Sequence, residues 1–310
     1  MHIPQITPIC IAGPTGAGKS AAAALLAREL GGAVINADSR QLYADFPIIT
    51  AQPGAEELAQ APHHLYGFLS CREKISAGRY ARLAEEKIAA VAAQGLVPIL
   101  VGGTGLYFQA LLAGIADIPP VPEEIHATWQ ERCLAKGSEP LHALLREKDP
   151  AYAAKIHPHD RQRITRALEV IDFTGKAFSW WHAERTPTAD RPGRPALLMA
   201  VGLPLAELEP LLGRRIELML EAGAVAEAEK ALLACPDRNT PGWSGIGCAE
   251  LGRFLAGEIS LEDCKELWRR NTRAYAKRQL TWFRAKPGFS WYRPGQGAAM
   301  LQTARDRLTL

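Results

Sequence analysis

Residues 9–26 read ICIAGPTGAGKSAAAALL, which is a short apolar run, a glycine-rich turn and an alanine-rich stretch. The turn, Gly13–Ser20, matches the pattern G-x-x-x-x-G-K-[ST] at every fixed position. Alanine and leucine favour helix, so the predicted order is strand, turn and helix, which is the structural context that a P-loop requires. We therefore predict an α/β fold, a P-loop NTPase-like parallel sheet flanked by helices.

The predicted turn has the chemistry of a phosphate site. Backbone N–H groups at the start of a helix converge on one point, and the helix dipole adds positive potential there. Gly16 and Gly18 would let the backbone close around an anion. Lys19 supplies a mobile positive charge, and Ser20 offers a hydroxyl to Mg²⁺. The alternative is an ordinary strand-to-helix turn with incidental glycines, which would not require every fixed position of the pattern.

Composition limits the class of protein. With 310 residues, 47% of them apolar, the chain can hold one large α/β domain and a smaller module. The formal net charge of +3 is too small for a protein that is basic over its whole surface. The six cysteines are scattered without a C-x-x-C pair, so we expect neither a zinc site nor disulfides, as in a reducing compartment.

Targeting signals are not evident in the sequence. The N-terminus has no basic segment followed by an apolar one. No apolar run approaches the length of about 18 residues that a membrane span needs. These observations predict a soluble, cytoplasmic protein.

Two further predicted strands end in segments that can bind ligands. Residues 33–37 precede Asp38, and residues 97–101 precede GGTG, which contains Thr104. Ligands of parallel α/β sheets bind beyond the carboxyl ends of the strands, so we expect both residues at the edge that carries the P-loop. Asp38 could act as a general base, hold a metal ion or cap a following helix. A P-loop NTPase usually has a Mg²⁺-binding Asp where GGTG stands, which counts against nucleotide hydrolysis.

Proline clusters divide the chain. The segments 118–122 and 187–195 are rich in proline, which interrupts helices and strands, and the pattern between them is helical. We predict a core domain of residues 1–117 and 196–310 and a helical insertion domain of residues 118–195.

Two predicted helices carry basic residues. In the insertion, a helix begins after Asp160, and Gln162, Arg163 and Arg166 lie off its apolar stripe, either as a solvated face or as a surface for an anion. In the core, helix 261–284 holds basic residues at i, i+4 steps, namely Arg269, Arg273 and Lys277. Like charges at that spacing are unfavourable unless anions face them, so the partner is either an RNA backbone or carboxylates from elsewhere in the fold. Its aromatic residues, Tyr275, Trp282 and Phe283, either stack on bases or pack into the core.

Several segments are specific when taken together: GPTGAGKS (13–20), DSRQLY (38–43), APHHL (61–65), GGTGLY (102–107), IHPHDRQRITRALEV (156–170), Arg215, and YAKRQLTWFR (275–284). On these segments the sequence resembles the tRNA dimethylallyltransferases, over nearly the whole chain. The resemblance implies an enzyme that transfers a dimethylallyl group from dimethylallyl diphosphate to N6 of adenosine 37 in the tRNA anticodon loop, releasing diphosphate. It also implies that the P-loop holds this diphosphate rather than ATP, in agreement with GGTG in place of a Mg²⁺-binding carboxylate.

The resemblance implies a role for each matching residue. Asp38 would accept the proton of N6, Thr104 would orient the amine, and Arg215 would stabilise the leaving group with Lys19. The diphosphate-binding residues would be Gly13, Thr15, Gly16, Ala17, Gly18, Lys19, Ser20 and Arg215, with Ser20 also binding the cofactor Mg²⁺. The tRNA-binding residues would be Asp38, Ser39, Arg40, Gln41, Thr104, Gln162, Arg163, Ile164, Thr165, Arg166 and Arg278, and the range 243–248 would also contact tRNA. We expect a monomer.

The sequence departs from the family pattern at several positions. Ile49, Gln52, Leu211 and Cys248 stand where glycine, lysine, arginine and tyrosine are usual, and His159 stands where asparagine is common. None coincides with a predicted catalytic residue, so these departures concern contacts with RNA. The zinc-finger cysteines of some eukaryotic relatives are not present near the C-terminus, which predicts a bacterial-type enzyme.

Two other functions fit parts of the sequence. A small-molecule kinase would share the P-loop and could use Asp38 as its base, but it would not need a basic helix. A non-catalytic P-loop module that binds RNA would explain the basic residues and would tolerate replacement of Asp38.

Overall fold

The computed structural model describes residues 6–116, 118–185 and 194–308. The chain divides into two compact units, one of residues 1–112 and 194–310 and the other of residues 113–193. The sequence placed the domain boundaries at 117/118 and 195/196. Most of the second proline cluster, residues 187–195, lies outside the described residues, as does the N-terminal segment 1–5.

Helices and strands alternate through the first unit. Before the second unit the elements are β1 (Ile9–Ala12), α1 (Lys19–Leu30), β2 (Gly32–Asn36), α2 (Ala55–Gln60), β3 (His63–His64), α3 (Ala77–Ala93), β4 (Val97–Gly102) and α4 (Gly105–Leu112). The second unit contains α5 (Glu123–Lys136), α6 (Ser138–Lys148), α7 (Pro150–Ala153), α8 (Arg161–Thr174) and α9 (Phe178–Arg185). The first unit then continues with β5 (Leu197–Val201), α10 (Leu205–Glu221), α11 (Ala224–Ala234), a 3₁₀ turn (Gly242–Ser244), α12 (Cys248–Leu255), α13 (Leu261–Arg284), β6 (Ser290–Tyr292) and α14 (Gly297–Leu308).

The strands form one parallel sheet in the order β3-β2-β4-β1-β5-β6. The predicted α/β fold is therefore confirmed, and the apolar runs at 9–12, 33–37 and 97–101 form β1, β2 and β4. The sheet also contains β3, β5 and β6, and Leu69 makes an isolated bridge to Tyr43. Two-residue and three-residue strands at the sheet edges are too short to leave a recognisable pattern.

The sheet is covered on both faces. Successive side chains of a strand point to opposite faces, and in β1 Ile9 and Ile11 join one buried cluster while Cys10 and Ala12 join another. The first cluster includes residues of α1, α10 and α14, and the second includes residues of α3, α4 and α12. Because both faces are buried, the strands read as continuous apolar runs without polar alternation.

The order of the strands decides what lies at the carboxyl edge. β4 pairs with both β1 and β2, so the segments that follow these three strands are neighbours. These segments are the Gly13–Ser20 turn, Asp38–Gln41 and GGTG. The expectation that they share one edge is confirmed by the pairing.

The second unit is helical and has a core of its own. Trp129, Leu145, Leu168 and Trp181 are among its buried residues. The predicted helix after Asp160 is α8. Gly175, the residue that follows its last residue, has left-handed backbone and ends the helix. The expectation of a helical insertion agrees with these elements.

One expectation from the cysteines is wrong. Cys71 and Cys235 form a disulfide between Cα atoms 6.9 Å apart, although 164 residues separate them in sequence. The spacing of the cysteines along the chain does not indicate such a pair, because the fold brings the two distant segments together. Cysteine usage therefore does not support the predicted reducing compartment. Among the described residues, no helix has both the length and the apolar character that crossing a membrane requires.

We predict that the cap of α8 contributes to the stability of the second unit. Asp160 Oδ1 accepts a hydrogen bond from the Arg163 N–H at 3.1 Å. Loss of an N-cap costs about 1 kcal/mol, which corresponds to an opening equilibrium about fivefold larger. Asp160→Ala should therefore speed amide hydrogen exchange in the first turn of α8. Asp160→Asn keeps the acceptor and serves as the control; equal exchange in both variants would contradict the role of the cap.

Candidate active site

The Gly13–Ser20 turn is built by backbone geometry that favours glycine. Gly13 has φ +139°, and a Cβ there would overlap the carbonyl oxygen of Val201. Gly18 has φ +80° and forms the N-cap of α1, whose first residue is Lys19. Because the first N–H groups of a helix have no partner within the helix, this turn presents free donors at the carboxyl edge of the sheet.

Two cations lie beside these donors. The Lys19 ammonium donates a hydrogen bond to the carbonyl oxygen of Pro14 at 2.6 Å. Burial lowers the pKa of Lys19 to about 8; the Asp38 carboxylate opposes this shift and the Arg215 guanidinium reinforces it. Burial also lowers the pKa of Arg215, again opposed by Asp38. Two desolvated cations at one place favour an anionic ligand.

A cavity of about 120 Å³ brings together Asp38, Arg215 and most of the predicted diphosphate-binding residues, whereas Thr104 is not among the residues that line it. Its lining comprises Thr15, Gly16, Gly18, Lys19, Ser20, Asp38, Gln41, Thr50, Val101, Gly102 and Arg215. Of the predicted diphosphate-binding residues, Gly13 and Ala17 do not line it. Gly13 shapes the backbone, and the Ala17 side chain is buried in the core. The carboxylate of Asp38 therefore shares a cavity with the turn.

Asp38 is held in a turn and not in a helix cap. Its Oδ1 accepts the Arg40 N–H at 2.9 Å, and its own N–H donates to Asn36 Oδ1 at 2.8 Å. All residues between 38 and 54 are described and none is helical; the next helix begins at Ala55. The helix-cap interpretation of Asp38 is therefore wrong.

Thr104 is tied to the same turn. Its Oγ1 accepts the Ser39 N–H at 2.9 Å and lies 3.2 Å from Ser39 Oγ, to which it donates. Tyr275 of α13 lies nearby: burial raises its pKa to about 12, Asp38 adds to the shift, and a hydrogen bond with Thr104 opposes it. Thr104 is thus positioned by two groups next to the carboxylate.

The other residues of the Asp38–Gln41 turn connect it to neighbouring loops. The Arg40 guanidinium donates to the carbonyl oxygen of Pro241 at 3.3 Å and to Ser244 Oγ at 3.0 Å. The Gln41 amide donates to the carbonyl oxygens of Thr50 and Ala51. The range 243–248 begins and ends with the buried residues Trp243 and Cys248, so a contact with RNA from this range would come from the residues between them.

Part of the basic face of α13 is paired with carboxylates of the fold, which is one of the two kinds of partner considered for it. Arg273 Nε lies 2.6 Å from Glu209 Oε2, and Arg269 contacts Glu217 and Glu266, so carboxylates of the fold account for these two. Lys277 and Arg278 are exposed. Of the aromatic residues, Phe283 is fully buried and Trp282 packs against the core.

The predicted tRNA residues of α8 differ in exposure. Gln162 and Arg163 are exposed. Arg166 is half-buried and lies 3.3 Å from the buried carboxylate of Glu169. The side chains of Ile164 and Thr165 are buried in the core of the second unit. Side-chain contacts between this turn and tRNA would therefore come from Gln162, Arg163 and Arg166.

Most departures from the family pattern have a structural role. Ile49 is buried and its N–H donates to Glu227 Oε1 at 2.9 Å. The Gln52 amide donates to the carbonyl oxygen of Tyr43 at 2.8 Å. Cys248 is fully buried, and burial raises the pKa of its thiol. Leu211 is exposed on α10, and nothing in the structure explains its identity.

Several residues near the site were not assigned to it from the sequence. Thr50, Val101 and Gly102 line the cavity, Gln279 contacts the Gly13–Ser20 turn, and Tyr275 lies near Thr104. Gln279 is a polar residue at a buried position of α13, in line with Thr272, Ala276 and Phe283. A polar side chain at a buried position needs a hydrogen-bond partner, and this is the signal that could have indicated the contact of Gln279 with the site.

Comparisons with known sequences agree on one family. A family model described as IPP transferase matches residues 41–286 of the chain. The chain is 55% identical to the tRNA dimethylallyltransferase of Desulfovibrio desulfuricans, with 97% of this chain and 92% of that protein covered. It is 56% identical to the tRNA dimethylallyltransferase of Nitratidesulfovibrio vulgaris, with 92% of each chain covered.

Solved structures show the same similarity. The full-length tRNA isopentenylpyrophosphate transferase of Bacillus halodurans matches with a TM-score of 0.70 and 32% identity, over 98% of this chain and 97% of that one. A eukaryotic dimethylallyltransferase acting on tRNA matches with a TM-score of 0.73 and 31% identity, over 89% of this chain and 69% of that one.

We predict that pyrophosphate binding depends on the protonation of Lys19. Its pKa of about 8 means that the free protein loses this charge as the pH rises through 8. A bound anion favours the ammonium form and raises the pKa, so binding above pH 8 should take up a proton and weaken as the pH rises. Calorimetry in buffers of different ionisation enthalpy measures this uptake.

The control is Lys19→Arg, which stays charged at these pH values. Pyrophosphate titrates in the same range, so the decisive quantity is the difference between the wild-type chain and this variant. Equal proton uptake by both proteins would contradict the assignment to Lys19.

Proposed function

The chain belongs to the IPP transferase family, and we propose that it transfers the dimethylallyl group of dimethylallyl diphosphate to N6 of adenosine 37 in the tRNA anticodon loop. Its relatives are named for this class of reaction. The observation that supports the proposal in this chain is the cavity that contains both the Gly13–Ser20 turn and Asp38. An anion-binding turn and a carboxylate are the two groups that this reaction needs.

The diphosphate end of the donor would occupy the cationic side of the cavity. The N–H groups at the start of α1 would donate to its oxygens, and Lys19 and Arg215 would pair with its charge. As the bond between the allylic C1 and the diphosphate oxygen breaks, negative charge collects on the leaving group. The two cations would stabilise this charge more strongly than that of the intact donor, which lowers the barrier.

Mg²⁺ fits the diphosphate side as a cofactor. The Ser20 hydroxyl lines the cavity at the start of α1, and Mg²⁺ is commonly bound by few protein groups together with substrate phosphates and water. In the described part of the chain, no three His, Cys, Asp or Glu side chains converge into a metal site, so diphosphate oxygens would supply most ligands. When bound, the ion would neutralise charge on the leaving group.

The acceptor side would use Asp38 as the general base. Adenine N6 is a weak nucleophile that becomes acidic as its bond to C1 forms. Asp38 Oδ1 already accepts the Arg40 N–H, so Oδ2 is the atom assigned to the proton. Thr104 is fixed beside this turn through Ser39 and would orient the amine. The adenine must leave its stack to reach the cavity, as in other enzymes that modify bases.

Exposed basic residues would bind the tRNA backbone. They include Lys277 and Arg278 on α13 and Arg163 on α8. A tRNA substrate would also place the reaction in the cytoplasm. A small-molecule kinase has no comparable support, since part of the α13 basic face is exposed and the relatives are transferases that act on tRNA.

We predict that Asp38→Asn lowers kcat by about 10²- to 10⁴-fold, the usual contribution of a general base, while tRNA binding persists. Unmodified tRNA and dimethylallyl diphosphate are incubated with each protein, and the nucleosides are analysed by mass. Asp306→Asn is the control, because it makes the same replacement at an exposed position of α14, outside the residues assigned to the site. Near-normal turnover by Asp38→Asn would remove Asp38 from its assigned role, and absence of product with the wild-type chain would contradict the function.

We predict that tRNA affinity falls steeply with salt, because each phosphate contact releases counterions. Arg278→Gln should reduce the slope of log affinity against log salt by about 0.7 to 0.9, the contribution of one contact. Arg273→Gln is the matched control on the same helix, since Arg273 is paired with Glu209 and should change the slope less. A flat salt dependence of the wild-type chain would contradict binding through these residues.

A further inference from the structure

Gln279 joins two loops of the site through both atoms of its side-chain amide. Its Oε1 accepts the Thr15 N–H at 2.9 Å, and its Nε2 donates to the carbonyl oxygen of Gly103 at 2.9 Å. Thr15 belongs to the turn that lines the cationic side of the cavity, and Gly103 directly precedes Thr104. One buried side chain, 4% exposed, therefore spans from the donor side to the acceptor side.

The chemistry of this bridge requires one hydrogen-bond acceptor and one donor, which an amide supplies at every pH. The Thr15 site presents a donor and the Gly103 site presents an acceptor, so the bridging group must accept at one end and donate at the other. Asparagine is shorter by one methylene, and a carboxylate would face the Gly103 carbonyl with a second acceptor. If the amide were removed, the Gly103 carbonyl would lose its partner in a buried place and the Thr15 N–H would lose its partner in a half-buried one.

The backbone at Gly103 leaves no space for a side chain beside the bridge. A Cβ at Gly103 would overlap Gln279 Nε2, so the loop approaches α13 as closely as glycine permits. α13 itself is anchored in both buried clusters, through Ala276 in one and Phe283 in the other. The helix that carries Gln279 is thus fixed to both layers of helices around the sheet.

We propose that Gln279 is a positioning residue for the transfer reaction, which sets the placement of the diphosphate-binding turn relative to Thr104 and thereby the distance between donor C1 and adenine N6. The inference rests on the proposed function, because it assigns donor and acceptor to the two loops. Gln279 touches neither reactant and acts through the two backbone groups. Small displacements of reacting groups lower the rate strongly while binding is largely retained.

The first test compares two isosteric replacements on α13. Gln279→Met keeps the volume and removes both hydrogen bonds; it should lower kcat about 10- to 100-fold while the KM values for dimethylallyl diphosphate and tRNA change less than about threefold. Thr272→Val is the matched control, because Thr272 lies on the same buried stripe and its hydroxyl has no hydrogen-bond partner among the described residues. Thermal unfolding of both variants is measured in parallel.

The second test uses a side chain whose donor can be switched by pH. In Gln279→Glu, burial raises the pKa of the carboxyl group; when protonated, it can accept from Thr15 and donate to Gly103 like the native amide. The ratio of kcat of this variant to wild-type kcat should therefore rise as the pH falls from about 8 to about 6. A residue that merely fills space would give a ratio independent of pH.

The outcomes separate the inference from the function on which it rests. A folded Gln279→Met variant with kcat within about twofold of the wild type, or a pH-independent ratio for Gln279→Glu, overturns the positioning role. Should Gln279→Met not fold, the pH dependence of Gln279→Glu decides. Failure of the wild-type chain to prenylate tRNA contradicts the proposed function and the positioning role with it, whereas an active wild-type chain with unaffected variants contradicts the positioning role alone.

Discussion

Two cations confined beside a helix N-terminus are the constraint on which the site depends. Lys19 and Arg215 share a small cavity with the first turn of α1, and burial lowers the pKa of both. The folded protein tolerates this arrangement because Asp38 lies close enough to oppose the shifts. The same carboxylate is the proposed base. A single electrostatic arrangement thus prepares the cavity for an anionic donor and has the proposed base in the same cavity.

The parallel sheet explains how so few residues can form this arrangement. β2, β4 and β1 are adjacent, so three loops far apart in sequence end side by side at one edge. Each loop is then fixed by short hydrogen bonds: Asp38 by Asn36, Thr104 by Ser39, and Thr15 by Gln279. Through Gln279, helix α13 connects two of these loops to both hydrophobic clusters, and the proposed positioning role depends on this packing.

Charge on the surface is used in two ways. Part of the basic face of α13 is bound by carboxylates of α10, as Arg273 is by Glu209, and part is exposed, as Lys277 and Arg278 are. This division explains how a chain with a net charge of only +3 can have a local basic surface, which is the surface proposed to bind tRNA. In α8 both Arg163 and Arg166 have a carboxylate partner, but Arg163 pairs with Asp160 at 3.4 Å and remains exposed, whereas Arg166 contacts the buried Glu169.

The sequence by itself determined the elements and the chemistry of the P-loop. The glycine pattern, the apolar strands, the start of α8 and both ends of α13 could be predicted because they depend on local backbone preferences and on periodicity. The tertiary structure alone decided that Asp38 caps no helix, that Arg273 is paired internally, that Cys71 meets Cys235, and that Gln279 bridges two loops. These features depend on contacts between segments distant in sequence, and no local preference of either segment encodes which partner the fold will bring to it.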